Sequence, residues 1–145
     1  MERGIAAKRS SVRQAGRVIL LLDTHALIWA AQEPELLSDK ARAAIESTDN
    51  IVFVSAISAM EIATKYRLGK LEVSPTLAEH FADEVASKGF SILPVSAAHG
   101  QRAGLLDIPH QDPWDRLLIA QAQVEGMWLV SIEKLFDNFS VSRFW

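Results

Sequence analysis

Short apolar runs separated by much longer amphipathic stretches decide most of what this chain can fold into. Val18–Leu22, Ile51–Val54, Phe90–Leu93 and Trp128–Val130 are read as strands, and none exceeds five residues. A strand with one face in water alternates apolar and polar residues. A run that stays apolar is buried on both faces, the condition of a parallel sheet covered by helices on each side. The stretches between carry helix signals. Thr24 is expected to cap a helix over His25–Gln32, closed by Pro34, and Ser38 to cap one through Ala41, Ala44 and Ile45. Ser55–Leu68 stops at Gly69, a helix from Pro75-Thr76 to Lys88 stops at Gly89, and Ala97–Leu106 reads as helical. Asp112-Pro113 opens a helix to Glu125, with Asp at the cap, Pro in the first turn and Gly126 as the stop. A short helix near Glu133–Phe136 and a last strand near Val141–Phe144 follow. The expectation is an α/β fold of three layers, a mostly parallel sheet of about five strands with helices on both faces.

The 145 residues suit one domain. It is expected over 17–145, behind a flexible basic arm (or misassigned start) at 1–16. Residues 1–17 carry five basic side chains against Glu2, so the rest of the chain holds seven net negative charges. A nucleic-acid binder with a broad basic face looks different; an acidic body needs another explanation, such as carboxylates gathered to hold a cation. With no cysteine, disulfides, thiolate nucleophiles and cysteine metal sites are excluded. No apolar run approaches the ~18 residues of a membrane span, and Val18–Leu22 is shorter than the ~7–15 of a signal-peptide core. A cytoplasmic protein is expected. The phosphate-cradling patterns G-x-x-x-x-G-K-[ST] and G-x-G-x-x-G are absent, as is the G-x-S-x-G nucleophile elbow.

The acids remain. Open α/β sheets place ligands at the carboxyl ends of their strands, and Asp23 ends the most apolar run. Glu61 lies in the Ser55–Leu68 helix, where Lys65 at i+4 offers it an ordinary ion pair. Asp112 is a natural cap. Asp115 is either its capping partner or an acid on the core-facing stripe of Leu118, Ile119 and Ala122. Glu133, after the fourth strand, suits the first turn of a helix. His25, His80, His99 and His110 show no ligand spacing and read as surface or core residues. Carboxylates converging on one sheet edge are hard oxygen ligands, which select Mg²⁺ or Mn²⁺.

At these residues the chain resembles the PIN-domain family, specifically the VapC-type toxins of bacterial toxin–antitoxin pairs. The similarity runs over about residues 18–145. It opens with Leu21-Leu22-Asp23-Thr24-His25-Ala26-Leu27-Ile28-Trp29 and continues with Ser58-Ala59-Met60-Glu61-Ile62-Ala63 and Lys65-Tyr66-Arg67-Leu68-Gly69-Lys70-Leu71. It is densest over His110-Gln111-Asp112-Pro113-Trp114-Asp115-Arg116-Leu117-Leu118-Ile119-Ala120-Gln121-Ala122, and closes with Leu129-Val130-Ser131 and Phe144-Trp145.

The resemblance implies a PIN-like fold and a Mg²⁺-dependent ribonuclease, Mn²⁺ being possible, held in check by a cognate antitoxin; it also implies a homodimer. Asp23, Glu61, Asp115 and Glu133 become the candidate catalytic and metal-binding acids, with Asp112 a further candidate ligand. Thr24 and Ser131 match the small hydroxyl positions beside the site. Two departures stand out: Glu133 replaces the family's usual Asp, and Met60 stands where this subfamily often has Trp. Single-stranded or looped RNA is the expected substrate, with Arg116, Lys65, Arg67 and Lys70 as candidate phosphate contacts. Two alternatives stay open. One is a catalytically weak PIN module acting through a protein partner. The other is an acid-dependent phosphatase of another α/β family, disfavoured because His25 stands where its second Asp should be.

Overall fold

The computed structural model describes residues 17–145, and the arm expected at 1–16 lies outside them. Five strands form one sheet: β1 (Ile19–Leu22), β2 (Ile51–Ser55), β3 (Ser91–Leu93), β4 (Trp128–Val130) and β5 (Arg143–Phe144). Their spatial order is β3-β2-β1-β4-β5, and every neighbouring pair is parallel. β1 lies in the middle, and Leu20, Leu21 and Leu22 are all fully buried, which is why the run is apolar without alternation. Successive side chains leave a strand on opposite faces. Leu20 and Leu22 accordingly join Val52, Val54 and Val130 in one core layer, while Leu21 joins Leu93 and Leu129 in the other.

Helices close both layers. On the first face lie α1 (Thr24–Gln32), α2 (Asp39–Glu46), α3 (Ala56–Arg67), α4 (Pro75–Glu79) and α5 (Phe81–Ser87), contributing Leu27, Ile45, Ile62, Leu77 and Val85. On the second, α7 (Pro113–Glu125) buries Leu118, Ile119 and Ala122, and α6 (Ala97–Leu105) packs on it through Ala103, against Leu117 and Ala120. The fold is the α/β, three-layer, PIN-like arrangement expected, with an all-parallel sheet.

Most boundaries follow the local signals. Ser38 Oγ accepts from the Ala41 N–H at 3.0 Å, and Gly126 takes a left-handed conformation (φ 66°) to end α7. Three local expectations are corrected. The cap of α1 is Asp23, not Thr24: Asp23 Oδ1 accepts from the Ala26 N–H at 2.8 Å, which frees the Thr24 hydroxyl for other partners. The single helix expected over Pro75–Lys88 is two, broken at His80 (φ −131°, ψ 50°). Leu77 and Val85 both enter the first core layer; eight residues apart in a straight helix they would diverge by about 80°, and the break re-aims them. The segment near Glu133–Phe136 is a 3-10 turn over Lys134–Asn138.

The register sets the site. Leu22 pairs with Val54 on one side and Val130 on the other. The residues that follow them, Asp23, Ser55 and Ser131, therefore form one row at the carboxyl edge of the sheet.

Candidate metal centre

Asp23 comes first, because the fold buries it most deeply among the candidate acids: it is 6% exposed. Its backbone N–H donates to Val130 O at 3.0 Å, continuing the β1–β4 ladder one residue past the strand. Its carboxylate accepts from the Ala26 N–H and from the Ser131 hydroxyl. Burial nonetheless pushes its pKa from the ordinary carboxylate value up to about 6. The hydrogen bonds from Ser131 and Ala26 and the neighbouring His25 oppose the rise, and the Asp115 charge adds to it. Ser131 is itself fully buried and held: its Oγ accepts from the Glu133 N–H at 3.0 Å, and its carbonyl accepts from Arg143 Nη1 at 3.0 Å.

Glu61, 8% exposed, sits on α3 where that helix passes α1. Thr24 Oγ1 donates to its Oε1 at 2.6 Å, and Lys65 Nζ donates to its Oε2 at 2.6 Å. Because the Thr24 proton goes to Glu61, the 3.0 Å contact between Thr24 and Ser58 has Ser58 as donor. Both readings of Glu61 thus hold at once: it is ion-paired along its helix and it reaches the sheet edge through Thr24.

Asp115 lies in the first turn of α7, about one-third exposed at its side chain. Burial raises its pKa. A hydrogen bond from His110 Nε2 to Oδ2 at 2.8 Å opposes the rise, and the charges of Asp112 and then Glu61 add to it. Asp23 feels Asp115 and Asp115 feels Glu61, so three acids from β1, α3 and α7 share one electrostatic neighbourhood. Asp112 is the cap of α7, its Oδ1 accepting from the N–H groups of Trp114 (2.8 Å) and Asp115 (3.2 Å). Glu133 is exposed just beyond Ser131 and gives no side-chain cap to the turn it precedes.

Of the four basic candidates, Lys65 alone is seen bonded to one of these acids. Arg67 and Lys70 are exposed, at the end of α3 and past its Gly69 turn. Arg116 has all five N–H groups directed at backbone carbonyls. Reading the histidines for metal-ligand spacing passes over His110. Its position five residues before Asp115, across the turn that Asp112-Pro113 sets, was the available signal.

Among the described residues no three carboxylates or histidines stand close enough to enclose an ion as they are. The chemistry of the donors nevertheless fits a divalent cation. All are hard oxygens, and Asp23 and Asp115 carry pKa values raised by burial and by neighbouring carboxylates, Asp115 for the first and Asp112 and Glu61 for the second, a penalty that a cation removes. Lys65 supplies a positive partner to Glu61, and His110 a hydrogen bond to Asp115.

Comparison with known proteins agrees with this geometry. The family model described as PIN domain matches residues 20–140. Ribonuclease VapC22 of Mycobacterium tuberculosis is 34% identical over 118 residues, covering 79% of this chain and 87% of that protein. Ribonuclease VapC16 of the same organism is 38% identical over 71 residues, covering 47% of this chain and half of that protein. A chain in the crystal structure of VapBC2 from Rickettsia felis, bound to a DNA fragment from their promoter, superposes with a TM-score of 0.61 at 18% identity. The overlap covers 87% of this chain and 96% of that one; at that identity the likeness concerns the fold. The row of hydroxyl and carboxylate residues at the carboxyl edge of a parallel sheet therefore has a family context: this chain belongs to the PIN domain family.

Proposed function

We propose that the protein is a divalent-metal-dependent endoribonuclease that acts as the toxin of a toxin–antitoxin pair. The observation that carries this reading is the electrostatic coupling of Asp23, Glu61 and Asp115 at one sheet edge, with the buried Asp23 pushed up to about 6. The similarity to two proteins named ribonuclease VapC, and to the fold of a VapBC structure, supports the substrate and the partner class. Asp23, Glu61 and Asp115 would hold the ion, Mg²⁺ or Mn²⁺, with Glu133 and Asp112 at its periphery. Such an ion acidifies water and offsets the charge that builds on phosphate oxygens. The chain's own part is orientation. Ser131 and the Ala26 N–H aim Asp23, Thr24 aims Glu61, and Lys65 brings a cation within reach of a phosphate at that edge. No side chain is assigned as general base. Among the described residues no helix is long and apolar enough to cross a membrane, and the reading places the protein in the cytoplasm as a homodimer neutralised by an antitoxin. The domain would occupy 17–145, behind the basic arm.

Chelation tests it directly. RNA cleavage is expected to stop in EDTA and return with Mg²⁺ or Mn²⁺, and undiminished cleavage in excess chelator removes the metal mechanism. One observation favours a second reading, a PIN module acting only through a protein partner: among the described residues no three acids enclose an ion as they stand. Calorimetric Mn²⁺ titration separates the two, since that module would bind its partner and no ion.

A further inference from the structure

The sequence offers Arg116 as a phosphate contact, but its guanidinium is fully engaged elsewhere. Nε donates to Ala103 O at 3.0 Å. Nη1 donates to His110 O at 2.8 Å and Ile108 O at 3.3 Å. Nη2 donates to Leu106 O at 2.6 Å and Gly104 O at 3.4 Å. An arginine has five N–H donors in a fixed fork and no acceptor, so these five carbonyls account for the whole group. Two of them, Ala103 and Gly104, belong to the last turn of α6, where helix carbonyls have no partner further along the chain. The other three lie in the loop that leads from α6 to α7. That loop delivers His110, whose Nε2 meets Asp115 Oδ2 at 2.8 Å and whose ring lies 5.7 Å from that of Phe139. Phe139 is tied down in turn, its carbonyl accepting from Gln123 Nε2 at 2.9 Å.

Resting on the divalent-ion reading above, we infer that Arg116 and His110 are positioning residues for Asp115. Arg116 fixes the course of residues 106–110 by their carbonyls. The loop then holds the imidazole against Phe139, and the imidazole fixes the direction of the Asp115 carboxylate. Arg116 follows Asp115 on the same helix, so the first turn of α7 is gripped on both sides. A lysine at 116 would carry the charge but not the fork, and its three donors on one atom cannot span carbonyls spread over eight residues. Partners of this kind, acting behind a metal ligand, typically change ion affinity by ~10–100-fold when removed.

The test uses Arg116→Lys, His110→Ala and His110→Gln in the full chain, at a temperature where circular dichroism shows each to be folded. Amide hydrogen exchange over 106–111 and the ¹⁵N spectrum of His110 are read in metal-free buffer, and Mn²⁺ affinity is read by calorimetry. Arg116→Lys is expected to speed exchange in the loop by about tenfold or more, to remove the Nε2-protonated signature of His110, and to weaken Mn²⁺ binding by about tenfold. His110→Ala should leave loop exchange near wild type and weaken Mn²⁺ binding similarly. His110→Gln, which keeps a donor, should restore part of that loss. Unchanged loop exchange in Arg116→Lys overturns the inference, and so does a loosened loop with wild-type Mn²⁺ affinity, which marks a purely structural clamp. Should Arg116→Lys not fold, His110→Ala decides, and wild-type Mn²⁺ affinity there overturns the relay. If the wild type takes up no Mn²⁺, the ion reading fails, and the relay stands or falls on loop exchange and the His110 spectrum.

Discussion

Two sets of polar side chains are anchored in the core of this protein by buried members, His99 and Gln121 in one, Asp23 and Glu61 in the other, and they are built on opposite terms. Along the C-terminal half of α7, Gln121 and Glu125 meet His99, which pairs with Ser96 at the start of α6. Ser96 Oγ accepts from the His99 N–H at 3.1 Å while His99 Nδ1 accepts from the Ser96 N–H at 3.0 Å, so the ring proton sits on Nε2 and goes to Glu125 at 2.8 Å. Gln121 Nε2 adds contacts to His99 and to Pro94 O, and Gln121 Oε1 is the one buried side-chain polar atom without a partner among the described residues. Donors and acceptors otherwise match, one carboxylate to one imidazole. The carboxyl edge has a surplus of negative charge instead, with three acids in one neighbourhood and raised pKa values on two of them. Apart from that one oxygen, the first set is satisfied by the chain alone and ties two helices together. The second is what the chain leaves for a cation to complete.

The sharpest contrast is in activity. Asp23→Asn and Asp115→Asn each remove a charge that the folded chain disfavours, so metal-free stability should hold or rise while RNA cleavage falls by roughly a thousandfold. Thermal melts beside cleavage assays check both halves, and a loss of stability that tracks the loss of cleavage would erase the distinction between the two polar sets.

A pH titration of metal-free stability comes next. The folded protein holds the Asp23 proton up to about pH 6, whereas the unfolded chain releases it near 3.8. Between those values the unfolded state binds fewer protons, so stability falls as pH rises, by about 3 kcal/mol in total from this group. Urea unfolding at pH 4 and pH 7 measures it, and Asp23→Asn should flatten the difference.

The balanced set is expected to respond the other way. His99→Ala leaves the Glu125 carboxylate without its imidazole and removes the ring's half of the capping box of α6, the bond from the Ser96 N–H, while the Ser96 cap on the backbone stays; the cost should be about 2 kcal/mol. Ion affinity should not move, and a calorimetric titration showing otherwise would couple the two sets. The smallest effect belongs to the boundary residue, Asp112. Asp112→Ala should cost about 1 kcal/mol as a lost cap, while Asp112→Asn keeps the capping oxygen and should cost only a few tenths in urea unfolding. A large loss of Mn²⁺ affinity in Asp112→Asn would move that acid from the cap into the centre.

What the sequence discloses here is what depends on near neighbours. The sheet was legible because burial on both faces leaves runs such as Leu20-Leu21-Leu22 no polar position. The start of α7 was legible because Asp-Pro carries a cap and a fixed φ in adjacent residues. Position at the carboxyl edge was likewise readable for Asp23, which directly follows its strand. The break at His80 was not, because the helical pattern of 75–88 is continuous and only the demand of one core layer for both Leu77 and Val85 divides it. The choice of Asp23 over Thr24 as cap was ambiguous in two adjacent capping residues, and was settled by Ser58 and Glu61, more than thirty residues away. Arg116 looked like any solvent-facing cation. Its partners are main-chain carbonyls six to thirteen positions upstream, and carbonyls leave no mark in a sequence.

The all-parallel sheet also bears on when the carboxyl edge comes into existence. Parallel neighbours cannot be joined by a tight hairpin. β1 finds β2 across 32 residues of chain, with Ile19 opposite Ile51, and finds β4 across 108, with Leu20 opposite Trp128. Closing loops of that length before any contact rewards them slows folding. Asp23 receives the hydroxyl of Ser131 only after β4 has docked. During synthesis the ribosome must release the chain past β4 and Ser131 before this edge can assemble, so a nascent chain carries Asp23 and Glu61 long before it carries their arrangement.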